Sequence, residues 1–197
     1  MIFIIRHGQT AGNKANILQG RGSNNPLNET GIAQAETIRK WFKDNRLSID
    51  HVYSSPLRRA VQTAQIIAED AEILTDDHLL EMDYGPYEGM DLLNPAPEVM
   101  AFFSDFVHNP APDGMEPLSD VVKRMGEFIE AFKPEAEGKN IVLSTHAIAM
   151  KGALEYLTPD SNGTFWGKYI HNCAMYAFSI VDGRFTIPEE VILPKLL

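Results

Sequence analysis

The feature that most constrains this chain is an apolar run at its start that leads directly into charged and polar residues. Residues 1–5 read Met-Ile-Phe-Ile-Ile, and Arg6, His7 and Gly8 follow. A short run of this composition predicts a strand buried on both faces, at the centre of a sheet covered by helices. In open α/β sheets, ligands bind at the carboxyl ends of the strands. The Arg6–His7 pair therefore predicts either an anion-binding site or a nucleophilic histidine with an arginine that holds its substrate. The alternative is a buried pair with a structural role.

The following segments alternate between helical and strand-like patterns, which is typical of a parallel sheet with crossover helices. Asn28 is predicted to cap a helix that ends near Asp44–Asn45, and residues 51–54 are β-prone. Ser55 and Pro56 predict the start of a further helix, with Ser55 as its N-cap. We therefore predict a three-layer α/β fold, in which a mostly parallel central sheet is flanked by helices.

The second half of the chain contains one segment of different composition. Residues 82–115 combine prolines, glycines and aromatic residues, and a helix near 97–107 is predicted within them. We interpret this segment as a lid-like insertion in a single domain that spans residues 1–197.

The predicted elements after it are a helix through Val121 and Phe132, a core strand at 140–145 that ends at His146, a following helix, and a strand from Cys173 to Val181 with a hairpin turn at Asp182-Gly183.

Composition limits the partners and the compartment. The formal net charge of −10 argues against a nucleic-acid partner and against a basic patch that binds an anionic membrane. The single cysteine, Cys173, excludes an internal disulfide and a cysteine-rich zinc site. Arg6 interrupts the apolar start, so no signal peptide is predicted, and no apolar run approaches the ~20 residues of a membrane span. We expect a soluble, cytoplasmic protein.

Reactive side chains follow the predicted core elements at four places. They are Arg6 and His7 after the first strand, the arginine pair at 58–59 at the start of a helix, Glu81 just before the lid-like segment, and His146 after the strand at 140–145. A neutral imidazole is a competent phosphoryl acceptor, and guanidinium groups bind phosphate oxygens in a bidentate manner. This combination predicts phosphoryl transfer through a phosphohistidine. Glu81 is the candidate acid that protonates the leaving group.

Four motifs, taken in order, resemble the histidine phosphatase superfamily, whose members are phosphoglycerate mutase-like proteins. They are Arg6-His7-Gly8-Gln9-Thr10 with Asn13, Tyr53-Ser-Ser-Pro-Leu-Arg-Arg59-Ala, Leu80-Glu81 through Gly85 and Glu88-Gly89, and Ser144-Thr145-His146. The similar pattern spans residues 2–152. The resemblance selects Arg59 rather than Arg58 as the phosphate ligand of the second motif.

The resemblance implies a role for each matching residue. His7 would be the phosphorylated nucleophile, with Glu81 as proton donor. The implied ligands of the phosphoryl group and the rest of the substrate are Arg6, Asn13, Gln19, Gly20, Arg59, His146 and Ala147. Ala147 replaces the glycine usual in the family, a change that keeps the backbone N–H. The segment Asp113–Pro117 also departs from the family pattern, which leaves a contribution of Glu116 open. No metal and no cofactor are implied.

The same family contains phosphatases and mutases, and the lid-like segment favours a phosphatase. No lysine or arginine occurs between Arg59 and Lys123, whereas a mutase must hold a bisphosphorylated intermediate. We therefore predict hydrolysis of a small phosphorylated metabolite whose remainder is neutral or partly apolar. The alternatives are a phosphoglycerate mutase-type isomerase, a non-catalytic phosphate-binding module and, more weakly, a metal-dependent hydrolase, for which no ligand motif occurs. Homodimerisation is left open.

Overall fold

The apolar run at the start of the chain forms the strand β1 in the computed structural model, which describes residues 1–193. The strands are β1 (Ile2–Arg6), β2 (His51–Ser54), β3 (Ile73–Thr75), β4 (Ile141–Thr145), β5 (Met175–Phe178), β6 (Ile180–Val181), β7 (Arg184–Phe185) and β8 (Glu189–Glu190). The helices are α1 (Ala11–Lys14), α2 (Glu29–Asp44), α3 (Arg58–Ile67), α4 (Pro97–Ser104), α5 (Leu118–Ala136) and α6 (Ala147–Leu157). Short 3-10 turns lie at Asp77–Leu79, Gly85–Tyr87 and Pro159–Ser161.

Six of the strands form the central sheet, in the order β3-β2-β4-β1-β5-β8. The pairs β3–β2, β2–β4 and β4–β1 are parallel, whereas β5 runs antiparallel to both of its neighbours. The remaining strands, β6 and β7, form a separate hairpin. The prediction of a mostly parallel α/β sheet is confirmed.

Alternate residues of β1 pack against different helical layers. Phe3 and Ile5 lie in a core cluster with buried residues of α2 and α3, whereas Ile2 and Ile4 lie in a second cluster with residues of α5 and α6. Successive side chains of a strand point to opposite faces, so a strand that is apolar at every position must be covered on both sides. The sheet therefore forms the middle of three layers.

The register of the sheet places the chemically reactive segments side by side. Arg6 of β1 is paired with Thr145 of β4, and Ser54 of β2 is paired with Ser144 of β4. The residues that follow these three strands, His7, Ser55 and His146, consequently lie at the same edge of the sheet. This edge is the carboxyl end of the three central parallel strands, where the first sequence motif, the second and the last one meet.

The start of α3 differs from the sequence-based prediction. Ser55 is not its N-cap: the helix begins at Arg58, and Leu57 occupies the N-cap position without a side-chain cap. The backbone N–H of Ser55 still donates to the carbonyl of Ser144, at 2.9 Å. Ser55 thus continues the pairing of β2 with β4, and the chain can turn into a helix only after Pro56.

Other boundaries also differ. Helix α4 ends at Ser104 rather than near 107. The strand predicted from Cys173 to Val181 begins only at Met175, because Cys173 has a positive φ of 58°, and it is divided after Phe178 into β5 and β6, which belong to different sheets. The short elements α1, β3 and β8 carried no periodic signal and were not predicted. The hairpin turn at Asp182-Gly183 is present, with both residues at positive φ, as a type I′ turn requires.

The segment 82–115 packs into the same core as α5 and α6. Val99 and Phe102 of α4 are fully buried in that core, whereas Leu93 and Met100 are exposed. Its function as a lid stays a prediction. Within residues 1–193, no helix has both the length and the apolar character required to cross a membrane.

Two glycines allow the start of α2 to contact the loop after β1 directly. A Cβ atom on Gly31 would lie 2.1 Å from the carbonyl oxygen of Gln9, and a Cβ on Gly8 would lie 2.4 Å from the carbonyl oxygen of Gly31. Both contacts are to backbone, which cannot rotate away as a side chain would. The position of the His7 loop therefore depends on the absence of side chains at this contact.

Gly31→Ala is expected to lower the free energy of unfolding by about 1–3 kcal/mol, because the added methyl group overpacks against backbone. This loss occurs even though alanine favours a helix over glycine by about 1 kcal/mol. The matched control is Gly167→Ala, where the nearest atom to the new Cβ lies at 3.9 Å. Urea denaturation measures both variants, and equal stability of the two would contradict the proposed contact.

Candidate active site

Two histidines lie side by side where β1 and β4 end. His7 and His146 are buried, and their ring centroids are 5.1 Å apart in an edge-to-face arrangement. His146 follows β4 directly and occupies the N-cap position of α6, and its Nε2 lies 2.8 Å from Oγ of Ser55. The sheet register therefore brings together residues from three distant parts of the sequence.

Arg59 links the two imidazole rings. Its Nε–H is shared between Nε2 of His7 and Nδ1 of His146, each at 3.2 Å. The side chain is completely buried, whereas the neighbouring Arg58 is exposed on the other side of the first turn of α3. Of the two adjacent arginines, Arg59 is thus the one that reaches the histidines.

The hydrogen-bond partners define the protonation of both rings. Arg59 can only donate, so Nε2 of His7 and Nδ1 of His146 must each present a lone pair. Nδ1 of His7 lies 2.7 Å from the carbonyl oxygen of Gly8, which can only accept, so that this nitrogen carries the proton. Burial, followed by the nearby charge of Arg59, holds the pKa of both histidines well below the ordinary value. Both rings are consequently neutral, and His7 presents Nε2 as a nucleophile.

A loop between β1 and α2 holds the guanidinium group of Arg59. Its Nη2 donates to the carbonyl of Gly20 at 3.0 Å, and its Nη1 donates to the carbonyl of Ser23. The carboxylate of Glu88 holds this loop by accepting from the N–H groups of Gly20, at 3.1 Å, and Gly22, at 2.9 Å, and from the hydroxyl of Ser23. Burial lowers the pKa of Arg59 to about 10, so that it remains charged at neutral pH.

Glu81 lies at the N-terminus of α6. Its Oε1 accepts from the N–H groups of Met82 at 3.0 Å and of Ile148 and Ala149, both at 3.1 Å. Among the described residues, Oε2 has one longer contact, 3.3 Å to the N–H of Ile148. The carboxyl group is thus held in place through one oxygen, and it lines the same cavity as His7.

Two buried donors at this cavity have no partner among residues 1–193. They are Nε of Arg6 and Nε2 of Gln19. The amide oxygen of Gln19 accepts from Oγ1 of Thr10 at 2.9 Å and from Nδ2 of Asn25 at 3.0 Å, which leaves its nitrogen as the free end. A buried donor without an acceptor costs free energy, so these two groups are suited to bind an anion that enters the cavity.

The cavity has a volume of about 620 Å³, which is in the range of small-molecule sites. Its wall includes six of the predicted site residues, namely Arg6, His7, Asn13, Gln19, Glu81 and Ala147. Arg59 and His146 do not line the cavity, because both are fully buried, but each contacts His7. Gly20 does not line the cavity: its carbonyl accepts from Arg59 and its N–H donates to Glu88.

Sequence reasoning missed several residues of this site. Ser55 was assigned to a helix cap but contacts His146, and Glu88 was noted only as part of a motif. The cavity also contains two lysines, Lys151 and Lys168, that lie outside the cation-free segment 60–122. The absence of cations from that segment therefore does not leave the cavity without positive charge. Glu116, whose contribution was open, pairs with Arg124 at 2.7 Å.

No group of three or more histidine, cysteine, aspartate or glutamate side chains within residues 1–193 is arranged to hold a metal ion. The acids near the histidines are engaged elsewhere, because Glu81 binds backbone N–H groups and Glu88 binds the loop at 20–23.

Residues 2–191 match the sequence profile of the histidine phosphatase superfamily (branch 1). The chain therefore belongs to this superfamily, which confirms the identification made from the four motifs.

The proteins to which this chain is similar carry the names of mutases and of phosphatases. Phosphoglycerate mutase-like protein 4 of Arabidopsis thaliana is 31% identical, over 94% of this chain and 82% of the relative. The 2,3-bisphosphoglycerate-dependent phosphoglycerate mutase of Thermoplasma acidophilum is also 31% identical, over 92% and 88%. A solved structure of a phosphoserine phosphatase mutant from Entamoeba histolytica, in complex with phosphoserine, is 27% identical with a TM-score of 0.79, over 98% of this chain and 95% of that chain.

The two neutral histidines predict a pH-dependent stability. Unfolding restores their ordinary pKa of about 6.5, so below this pH the unfolded chain binds protons that the folded chain does not. The free energy of unfolding should consequently fall as the pH decreases from about 7 to 5, with a contribution approaching about 2.7 kcal/mol per pH unit from two groups. His7→Asn should remove about half of this slope in denaturation experiments, with the exposed His171→Asn as control. An unchanged slope would contradict the neutral state of His7.

Proposed function

We propose that this protein is a phosphomonoester hydrolase that acts on a small phosphorylated metabolite through a phosphohistidine at His7. The observation that carries the proposal is the lone pair on Nε2 of His7, which a buried arginine contacts at one end of a cavity of metabolite size. A neutral imidazole nitrogen held in one tautomer is a competent nucleophile toward phosphorus.

In the first step, the lone pair on Nε2 of His7 forms the P–N bond while the P–O bond of the ester breaks. Charge on the transferred phosphoryl group is neutralised by Arg6 and Arg59, and neutral His146 can donate to it in the tautomer that carries the single ring proton on Nδ1. Such catalysis depends mainly on positioning and on electrostatic stabilisation of the equatorial oxygens. The unpartnered donors of Arg6 and Gln19, together with Asn13 and the backbone at Ala147, support binding of the phosphoryl oxygens at the cavity wall.

The leaving alkoxide needs a proton, and we assign its transfer to Glu81. In the second step, water attacks the phosphohistidine, the P–N bond breaks, and the carboxylate of Glu81 accepts a proton from the attacking water. The fixed position of this carboxyl group at the start of α6 supports the assignment, because proton transfer requires a group within hydrogen-bond reach of the reacting oxygen.

The proposed reaction uses no metal and no cofactor, since arginines take the place that a metal ion has in other phosphoryl-transfer enzymes. We also propose a cytoplasmic location. The single cysteine, Cys173, is a free and buried thiol, which fits a reducing compartment.

A mutase is the second candidate function, and one observation favours it. Lys151 and Lys168 line the cavity, so cations that could hold a second phosphate are present after all. The phosphatase remains the proposal because the segment 60–122, which contributes Leu92, Phe103 and Phe106 to the cavity wall, carries no basic residue. A mutase must retain its bisphosphorylated intermediate, and this part of the wall, unlike the part that contains Lys151 and Lys168, offers that intermediate no cation.

The decisive experiment measures phosphate release from a panel of phosphomonoesters in the presence of EDTA. With a ³²P-labelled ester and alkaline denaturation, the wild-type chain should carry label, and His7→Ala should lose both label and turnover. His171→Ala serves as the matched histidine control. Turnover that survives in His7→Ala would overturn the mechanism, and loss of turnover in EDTA that Mg²⁺ or Zn²⁺ restores would overturn metal independence. Isomerisation of 3-phosphoglycerate with a bisphosphoglycerate primer, faster than phosphate release, would establish the mutase.

Glu81→Gln should affect esters differently according to whether their leaving group needs a proton. Turnover of an alkyl phosphate should fall by about 10²–10⁴-fold, because its alkoxide must be protonated as it leaves. Turnover of p-nitrophenyl phosphate should fall much less if P–O cleavage limits the rate, because p-nitrophenolate leaves without a proton. Steady-state kinetics on both esters, with burst measurements to identify the limiting step, test this role. Equal losses on both esters with cleavage rate-limiting would exclude Glu81 as the acid.

A further inference from the structure

Lys151 is a buried ammonium group in the wall of the active-site cavity. It lies on α6, one turn after the residues that contact Glu81, and its relative exposure is 7%. Its Nζ donates to the carbonyl of Trp166 at 2.7 Å and lies 4.7 Å from the ring centroid of Phe106. An ammonium group has three donors, so the contacts found among the described residues use only one of them.

No carboxylate pairs with this ammonium group within residues 1–193. Glu81 is close enough to raise the pKa of Lys151, but burial is the larger effect and lowers that pKa to about 8. The lysine is therefore mostly charged at neutral pH. Buried charges in proteins are normally paired, because an unpaired one loses its hydration without compensation.

The other charged groups that line the cavity do not compensate Lys151. Asp105 binds His108 at 2.7 Å, and Glu81 binds backbone N–H groups. Arg6 and Lys168 are cations. Lys151 is therefore left without an anionic partner among the described residues, and an anionic group of the ligand can take that place.

We propose that Lys151 binds a second anionic group of the substrate, a carboxylate or a second phosphate, while the first phosphate reacts at His7. This inference rests on the proposed function and names its substrate class: small phosphomonoesters with an additional acidic group. It replaces the sequence-based expectation of a neutral or partly apolar remainder. The faces of Phe106 and Trp166 beside the lysine would cover the carbon skeleton between the two anions.

A purely structural role for Lys151 makes a different prediction. In that case its bond to Trp166 would only fasten the loop after α6, and substitution would lower stability and affect all substrates equally. A role in recognition instead changes the preference between substrates that differ only in the second anion.

The test compares substrates that differ in one group. 3-Phosphoglycerate has a carboxylate where glycerol 3-phosphate has a hydroxymethyl group, and fructose 1,6-bisphosphate carries a phosphate that fructose 6-phosphate lacks. Lys151→Met should lower kcat/KM for one or both anionic members by about 10–100-fold, since truncating one partner of a buried charge pair is costly. For the matched neutral member the change should be less than about threefold. Lys151→Arg should recover part of the loss, and the exposed Lys123→Met is the control lysine.

The outcomes distinguish this inference from the proposed function. If wild type hydrolyses p-nitrophenyl phosphate and labels His7 but shows no preference for the anionic member of either pair, the subsite is refuted and the phosphatase stands. Equal losses on all substrates in Lys151→Met, or a selective loss in Lys168→Met alone, would also refute it. If no ester is hydrolysed and no label forms, the proposed function fails. Protection of wild type, but not of Lys151→Met, against thermal unfolding by 3-phosphoglycerate would still support the anion subsite.

Discussion

The buried guanidinium group of Arg59 is the constraint on which the site depends. A cation with no access to solvent needs acceptors for its nitrogen atoms, and here two backbone carbonyls and two imidazole lone pairs give each of the three nitrogens at least one. Within residues 1–193 no carboxylate contacts it directly, and Glu88 acts indirectly, by holding the loop that supplies the carbonyls. A direct salt bridge would have partly neutralised this positive charge. Without one, the charge remains available to a phosphoryl group in the proposed reaction.

The sheet provides the rigidity that this arrangement needs. His7 and His146 follow adjacent parallel strands whose residues are almost entirely buried, and Arg59 comes from the helix after the next strand. Because a shift of one residue in register would move each strand's side chains to the opposite face, the positions of the two rings are fixed by the packing of the whole core. The direct backbone contact between Gly8 and Gly31 adds a local restraint on the His7 loop.

The sequence predicted those features that local patterns encode. The apolar run of β1, the cap at Asn28 and the strand before His146 identified the α/β sheet, and the motif order identified the superfamily. Ser55 was misassigned because its sheet-like pairing to Ser144 is a contact between distant residues. Lys151 was missed for a related reason. A lysine on a helix is usually solvated, and this one is buried beside Phe106 and Trp166, which are distant from it in the sequence.

The Nε–H of Arg59 must change its acceptor if a P–N bond forms on Nε2 of His7. When the lone pair of His7 is consumed in a P–N bond, the hydrogen bond from Arg59 to that nitrogen can no longer exist. In the proposed reaction, the donor that is released becomes available to an oxygen of the phosphoryl group on His7. Nε2 of His7 thus accepts from Arg59 before the proposed reaction, and a phosphoryl oxygen would replace it as the acceptor afterwards. A preorganised donor of this kind changes its partner without moving, so that little reorganisation opposes the reaction.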